Sequence, residues 1–482
     1  MELWPVLKSL LPNTHLKVTN LLNTSEKNAS IDTSSLFNRA PLMKKNKIKL
    51  FLILAFIFPL YSQANEDFYA PGSFADELFG DVLEKNELAL IGWASTTLVF
   101  NDDGSDGVLP NGGLSSDEGF HLNQLALMFC KGDGCLPTTK FSPKHNLLSR
   151  ITPTPAPKSE SVDIGFNILA VYGTDSQFLR VSGFDDFDFD DNHDEKLSIP
   201  QWYIDVYLPY FDGMNIMVGS FMSELAREIG YPYAPPRWFA TASYELLYSP
   251  VKHVGALVSI KLPSHKDFGL LSIEGGITTG WNNLDNRNGS PAYLAGLRYR
   301  TPNMRTGIDI EMIYGNGADD FGKAPAKGGS QFFTLSSRGK DLDRFAGNVT
   351  VMHQFTPKLE AIFEFFYGSQ EGGDIKAGPQ FIVEDAEWYG SFIALRYQLQ
   401  SDLHLNTRAE WVKDKLGANA LFAGSPGEVY SLTANLDWQI NPYLNIIPEL
   451  KYDQYDGNGL PLFANKTENN QLLGLVNIVF KF

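Results

Sequence analysis

Several segments in the C-terminal half of the chain alternate apolar and polar residues at every second position. Residues 430–440 (YSLTANLDWQI) carry apolar side chains at the even positions and polar side chains at the odd ones. Residues 403–412 (LHLNTRAEWV) alternate in the same way. Successive side chains of a β-strand point to opposite faces, so each segment predicts a strand with one apolar and one polar face. A soluble β-sandwich and a membrane β-barrel both fit this pattern.

Two further features favour the barrel. Aromatic residues lie toward the ends of the apolar faces, as Tyr293 and Tyr299 or Tyr389 and Tyr397 do, where an aromatic girdle meets the two membrane surfaces. Short turns also alternate with long polar loops. Outer-membrane barrels show this asymmetry, with short periplasmic turns and long external loops.

The start of the chain predicts export. Residues 43–64 (MKKNKIKLFLILAFIFPLYSQA) join a lysine-rich start to an apolar run and a small-residue exit, the pattern of a cleaved signal peptide. We expect residues 1–42 to be an upstream leader or a start-site artefact, and residues 65–87 to be a periplasmic segment before a barrel over 88–482. No later apolar run reaches the roughly 18 residues of a membrane helix.

Composition excludes several classes of protein. The chain has 482 residues, 39 basic and 56 acidic side chains, a formal charge of −17 and two cysteines. The negative charge argues against a nucleic-acid binder, and two cysteines exclude a disulfide framework or a cysteine-based zinc domain. A length that suggests several soluble domains also fits one membrane barrel.

We predict an all-β fold, a single transmembrane antiparallel β-barrel of 16 strands, within a range of 14 to 18. A barrel of about 16 strands leaves an aqueous channel, whereas about 8 strands leave an interior that side chains fill. This count assigns residues 243–250 (SYELLYSP) to an external loop, and a separate strand over residues 241–248 would raise the count to 17 or 18. The expected strands are 88–100, 119–130, 161–172, 200–210, 214–222, 251–262, 268–280, 291–300, 304–314, 344–355, 358–367, 388–398, 402–412, 429–440, 443–453 and 471–482.

The final strand, residues 471–482 (QLLGLVNIVFKF), ends on Phe482 at the close of its apolar face. This ending resembles the C-terminal signal that the assembly machinery of outer-membrane barrels recognises. Four blocks carry a wider resemblance, residues 118–129, 162–175, 201–221 and 251–262. Together with the hairpins that follow, they resemble β-barrel porins of the OmpL-like porin-2 type. The resemblance implies an outer-membrane channel for small hydrophilic solutes in a Gram-negative bacterium.

The polar face of a lipid-embedded barrel points into the lumen, because a charge in the lipid costs about 2 to 4 kcal/mol at mid-depth. One interpretation is that these charges are wall residues paired across strands. The other is a constriction in which arginines face carboxylates across the pore. We expect Arg298, Arg300 and Arg305 to be neighbours near the periplasmic mouth. The full set of candidates is Arg298, Arg300, Arg305, Arg344, Arg396, Arg408, Glu311, Glu364, Glu410 and Asp437.

Two local motifs add hypotheses. Residues 184–195 (FDDFDFDDNHDE) fit a solvated loop, a divalent-cation site or a loop folded into the pore. No other cofactor is predicted. Cys130 and Cys135 bracket four residues, and an oxidising compartment favours a structural disulfide between them over a redox pair. The weak metal-ligand candidates are Asp185, Asp186, Asp188, Asp190 and Asp191.

The sequence favours a porin over two alternatives, a closed structural or adhesive barrel and a barrel enzyme. It contains no recognisable nucleophile or metalloprotease motif, so we predict no enzyme. The expected partners are outer-membrane lipid and lipopolysaccharide, the barrel-assembly machinery, small hydrophilic solutes and further copies of the chain in a homotrimer.

Overall fold

A computed structural model describes residues 79, 82–101, 118–131, 160–179, 195–223, 225, 238–263, 267–281, 284, 289–316, 343–371, 375–377, 380–382, 385–417, 422, 425–464 and 467–482. The predicted leader and signal peptide lie outside these residues and stay predictions. Among the residues described, no helix is long and apolar enough to cross a membrane.

The described chain is built almost entirely of β-strands. The first nine are β1 (Leu88–Asn101), β2 (Gly119–Lys131), β3 (Asp163–Gly173), β4 (Lys196–Leu208), β5 (Met214–Met222), β6 (Lys252–Lys261), β7 (Leu270–Thr278), β8 (Ala292–Arg300) and β9 (Thr306–Asn316). The other nine are β10 (Asp343–Thr356), β11 (Leu359–Gln370), β12 (Ile375–Ala377), β13 (Gln380–Ile382), β14 (Ala386–Gln400), β15 (Leu403–Asp414), β16 (Gly427–Asn441), β17 (Leu444–Gly457) and β18 (Asn470–Lys481). The other described elements are two single-turn α-helices, α1 (Val82–Lys85) and α2 (Ser176–Leu179), and one 3-10 helix, Glu245–Tyr248.

Sixteen of the strands form one closed barrel, and β12 and β13 form a separate hairpin. Each barrel strand pairs antiparallel with its neighbours along the chain. The ring closes between β1 and β18, from the pair Trp93–Lys481 to the pair Asn101–Leu473. Closure leaves no unpaired edge in the barrel sheet. The predicted count of 16 is confirmed, and every predicted strand overlaps an observed one with ends within four residues.

The two faces of the strands point as the alternation predicts. Outward side chains such as Leu432 and Tyr293 are 58% and 54% exposed, whereas the inward Arg408 and Glu364 are fully buried. An apolar outer face matches the lipid around a membrane barrel.

Connections at the two ends of the barrel differ in length. At one end, most turns are short, and those at 357–358, 401–402 and 442–443 have two residues. At the other end, the connections include 223–251, 317–342 and 415–426. We call these the short-turn end and the long-loop end. The connection 132–162 is an exception, because it is long and joins β2 and β3 at the short-turn end.

Candidate functional site

The connection between β5 and β6 folds into the barrel. We call its described part, residues 238–250 (WFATASYELLYSP), the strap. Every strap residue from Phe239 to Pro250 is buried, and residues Glu245–Tyr248 form a 3-10 helix. Residues 243–250 belong to a connection at the long-loop end, as predicted for an external loop, but they fold into the barrel instead of staying outside it. The alternative of an extra strand over residues 241–248 is wrong.

The strap crosses the lumen to the opposite wall. It rejoins the barrel wall where the backbone N–H of Ser223 donates to the carbonyl of Val251 at 2.9 Å. On β17, the carboxylate of Glu449 accepts bonds from the backbone N–H of Ala240 at 2.7 Å and from that of Thr241 at 2.8 Å. β5 and β15 lie eight places apart in the ring of sixteen, with β17 two places beyond. The strap therefore spans close to the full width of the barrel.

Most of the polar anchors hold the strap by its backbone. The guanidinium of Arg408 donates to the carbonyls of Thr241 at 3.1 Å and Ala242 at 2.8 Å. Glu410 accepts from the backbone N–H of Tyr244 at 2.9 Å and also pairs with Arg408 at 2.8 Å. The side-chain amides of Asn406 and Asn435 both donate to the carbonyl of Trp238 at 2.8 Å. The wall thus fixes the course of the strap largely independently of its side chains.

Apolar packing adds to these anchors. Tyr248 stacks near Phe366 and Trp388, with ring centroids 6.0 and 6.1 Å apart, and its hydroxyl donates to Asp414 at 3.0 Å. Phe239 belongs to a cluster with Phe392 and other side chains of the wall. Burying one large apolar side chain contributes about 1.5 to 3 kcal/mol, so five in the strap contribute on the order of 10 kcal/mol. The strap is a fixed part of the fold, and the lumen contains an apolar cluster that the sequence did not predict.

Two strap tyrosines stay un-ionised in this setting. Burial raises the pKa of Tyr248 well above its ordinary value, and the negative charge of Asp414 raises it further. Burial likewise raises the pKa of Tyr244, with the charges of Asp453 and Glu410 acting in the same direction. Both phenols therefore remain neutral throughout the physiological range.

A charged ladder occupies the inner faces of β7, β8 and β9. The guanidinium of Arg298 lies 3.1 Å from Glu274 and 3.3 Å from Glu311, one on each neighbouring strand. Gly296 sits between these two glutamates in register. A methyl group there would come within 3.2 Å of Glu274, so the missing side chain leaves room for the triad.

Arg300 forms the next rung and pairs with Asp309 at 2.6 Å. Of the three arginines predicted to be neighbours, Arg298 and Arg300 do share a strand face. Arg305, by contrast, is exposed on the turn before β9. Its place in a constriction stays a prediction.

The other predicted residues lie on the inner wall. Glu364 accepts a bond from Thr350 at 2.6 Å, and Arg396 pairs with Asp437 at 2.9 Å. The guanidinium of Arg344 lies 5.1 Å from the centre of the Trp281 ring. Arg408 and Glu410 hold the strap. That these side chains line a passage for solutes stays a prediction.

The strap residues are the main part of the site that was not predicted from the sequence. A loop segment with Trp238, Phe239, Tyr244 and Tyr248 among its 13 residues is unusually apolar for an external loop. That composition was the available signal for burial.

The two local motifs fall largely outside the described residues. Cys130 is buried and disulfide-bonded, but Cys135 is outside the described part, so the pairing of the two stays a prediction. The aspartates of residues 184–194 also lie outside it. Among the described side chains, no group of three or more could hold a metal ion.

Comparison with known proteins places this architecture among outer-membrane proteins. A family model described as "Putative beta-barrel porin-2, OmpL-like" matches residues 88–482. The channel DcaP of Acinetobacter baumannii has a similar fold, with 11% identity, a TM-score of 0.50 and 82% and 97% of the two chains covered. OprB of Pseudomonas putida is similar over 88% of this chain and 100% of its own, with 12% identity and a TM-score of 0.50. No curated protein matches the chain.

Proposed function

Because the chain belongs to the OmpL-like beta-barrel porin-2 family, we propose that it forms a water-filled channel for passive diffusion of small hydrophilic solutes. The family places it in the bacterial outer membrane as a porin. The proposal that solutes diffuse through the barrel rests on the side chains inside it.

The observation that carries the proposal is that the lumen contains both a fixed strap and, on a different part of the wall, a ladder of charged side chains. The hydrogen bonds described above tie the strap to β15, β16 and β17, whereas the ladder of Arg298 and Arg300 lies on β7, β8 and β9. A strap across the lumen narrows the barrel and limits the size of the solutes. The ladder side chains on the facing wall are buried and paired, with Arg298 0% and Arg300 1% exposed, so they act on solutes through the electric field that they set along that wall.

The ladder does not favour one sign of charge strongly. Arg298 and Arg300 face Glu274, Asp309 and Glu311, so two cationic groups stand against three anionic ones. We therefore propose small polar solutes of either sign as the cargo, with a slight preference for cations.

An enzymatic role receives little support from the described residues. The imidazole of His253 lies 2.9 Å from the hydroxyl of Ser223, the type of contact found in serine hydrolases. Both residues are buried at the root of the strap, with 0% and 2% exposure. We propose that this pair fixes the strap rather than attacks a substrate.

A second candidate is a structural barrel with a closed lumen, and the apolar cluster around Tyr248 favours it. Conductance separates the two. We expect refolded protein in a planar lipid bilayer to give discrete ion-permeable steps. A barrel that shows the heat-dependent gel shift of a folded outer-membrane protein but conducts no ions would contradict the channel and support the closed barrel.

A further inference from the structure

The inner wall of the barrel is open to solvent at its short-turn end. Arg396 on β14 and Glu360 on β11 are paired across their strands there, and their side chains are 15% and 45% exposed. By contrast, Glu364, which lies further along the inner face of β11, is fully buried. Trp238, the first described residue of the strap, contacts Arg396 and is partly exposed. We call this open space between the strap and the short turns the short-turn mouth.

Arg396 is fixed in the mouth with most of its donors unused. Its guanidinium donates to Asp437 at 2.9 Å and lies 5.6 Å from the centre of the Trp238 ring. The Nε of Arg396 lies 3.9 Å from Glu360, which is beyond hydrogen-bond distance. A guanidinium carries five N–H donors, and within the described part of the chain only Asp437 accepts from this one. The other donors are left for a molecule in the mouth.

The mouth also contains unused acceptors. The side-chain amide of Asn445 donates to Asp437 at 3.2 Å, but the side-chain oxygen has no partner among the described residues, although Asn445 is only 4% exposed. A buried polar atom without a hydrogen bond is costly, so this oxygen favours an added donor. His404 lies opposite Asp437 on the neighbouring strand, is partly exposed, and has no hydrogen bond to the residues that the structure describes. A neutral imidazole supplies one donor and one acceptor.

The charged side chains around the mouth balance one another. At the short-turn ends of β11 and β14 to β18, the inner face and the turns carry three basic and three acidic side chains, namely Lys358, Arg396 and Lys481, and Glu360, Asp402 and Asp437. A site with balanced charges has no net attraction for an ion of either sign. Hydrogen bonding and shape therefore decide what binds there.

Building on the proposed channel, we propose that the short-turn mouth binds neutral polyhydroxylated solutes, of which sugars are the common class. Each hydroxyl group of a sugar can donate and accept a hydrogen bond, which suits the donors of Arg396 and the acceptors of His404 and Asn445. The C–H faces of a sugar ring are apolar and suit the exposed part of Trp238, whose ring is otherwise packed against the apolar cluster around Phe239. Sites for small molecules combine such an apolar surface with a few placed polar groups.

Two tryptophans allow a matched test. Binding is measured on the folded barrel in detergent micelles by saturation-transfer NMR with D-glucose as the probe, which needs no conduction, and we expect a saturable signal for wild type. Trp238→Leu keeps an apolar side chain in the strap but removes the aromatic surface. We expect its dissociation constant for glucose to rise at least about fivefold, which corresponds to about 1 kcal/mol, the size of one aromatic contact. Trp411→Leu removes the same ring from the outward face of β15 and should bind glucose like wild type.

A pair of histidines keeps the test decisive if Trp238→Leu does not show the heat-dependent gel shift of a folded barrel. His404→Ala removes an imidazole from the mouth, whereas His353→Ala removes one that contacts Thr306 from the outward face of β10. We expect weaker glucose binding only for His404→Ala. No saturable signal for wild type, equal binding by the folded mouth variants and their controls, or tighter binding of acetate or ethylammonium than of glucose would overturn the proposal. Saturable glucose binding by a barrel that conducts no ions would contradict the channel but support this site.

Discussion

The aromatic ring of Phe482 covers Gly92 across the seam where the barrel closes. The two residues exchange both backbone hydrogen bonds of an antiparallel pair, each at 2.9 Å. A methyl group on Gly92 would overlap the ring of Phe482, so the glycine makes room for the last side chain of the chain. The same ring packs beside Phe480, with centroids 6.1 Å apart. The final strand is thus held by backbone pairing and by an aromatic contact at once.

Replacing Gly92 should weaken the closing seam. We expect Gly92→Leu to displace the ring of Phe482 and to destabilise the folded barrel by about 1 to 3 kcal/mol, the usual cost of an overpacked contact. The measurement is the temperature at which the barrel loses its compact gel mobility. Thr96→Leu changes the same face of the same strand and should leave that temperature within a degree or two. Equal melting of the two variants would show that the contact contributes nothing.

The sequence was sufficient for the barrel because the membrane imposes a strict pattern on it. Lipid on one side and a polar lumen on the other give every strand a period of two, so all 16 strands could be predicted from local residues. The alternation of local residues could not predict which side chains meet on neighbouring strands, as at Gly296 between Glu274 and Glu311. The alternation placed Arg298 on the inner face, but its two partners depend on strand register, which only the folded sheet fixes.

The strap could not be predicted for a related reason. Its bonds to Arg408 and Glu449 join residues more than 160 positions apart in the chain, and most of them involve the strap backbone. Backbone groups leave no trace in the sequence. Only the apolar side chains of the strap indicated burial. The even strand count instead required an external loop at this position, and the prediction followed the strand count.

Removing the carboxylate of Glu449 should loosen the strap. Glu449→Ala leaves the backbone N–H groups of Ala240 and Thr241 without their acceptor, and an unsatisfied buried donor costs about 1 to 3 kcal/mol. We expect a lower melting temperature and noisier single-channel currents. Glu360→Ala removes a carboxylate from β11 that is 45% exposed, and it serves as the control. If both variants behave like wild type, Glu449 does not position the strap.

Arg298 and Arg305 offer a direct comparison for the ladder. Arg298→Ala leaves Glu274 and Glu311 without the guanidinium between them, so the inner wall over β7 to β9 becomes more negative. We expect the zero-current potential across a potassium chloride gradient to shift toward cation selectivity. Arg305→Ala removes the same charge from an exposed turn and should leave the potential near that of wild type. If the zero-current potential shifts in neither variant, the ladder does not act on the ions that cross the barrel.

Alkaline pH should destabilise the strap through its tyrosines. The folded-state pKa values of Tyr244 and Tyr248 lie well above the ordinary value of 10.0, chiefly because both phenols are buried. In the unfolded chain they ionise near that ordinary value, so their contribution to stability is complete below about pH 10 and is lost as the pH rises toward the folded-state values. We expect the free energy of unfolding to fall as the pH rises above about 10. The double variant Tyr244→Phe/Tyr248→Phe has no strap phenol to ionise and should show a shallower fall, although the lost bond to Asp414 lowers its stability at neutral pH. Absorbance of tyrosinate gives an independent check, because these two phenols should ionise only as the barrel unfolds. Parallel pH profiles for wild type and the double variant would mean that alkaline unfolding begins elsewhere in the barrel.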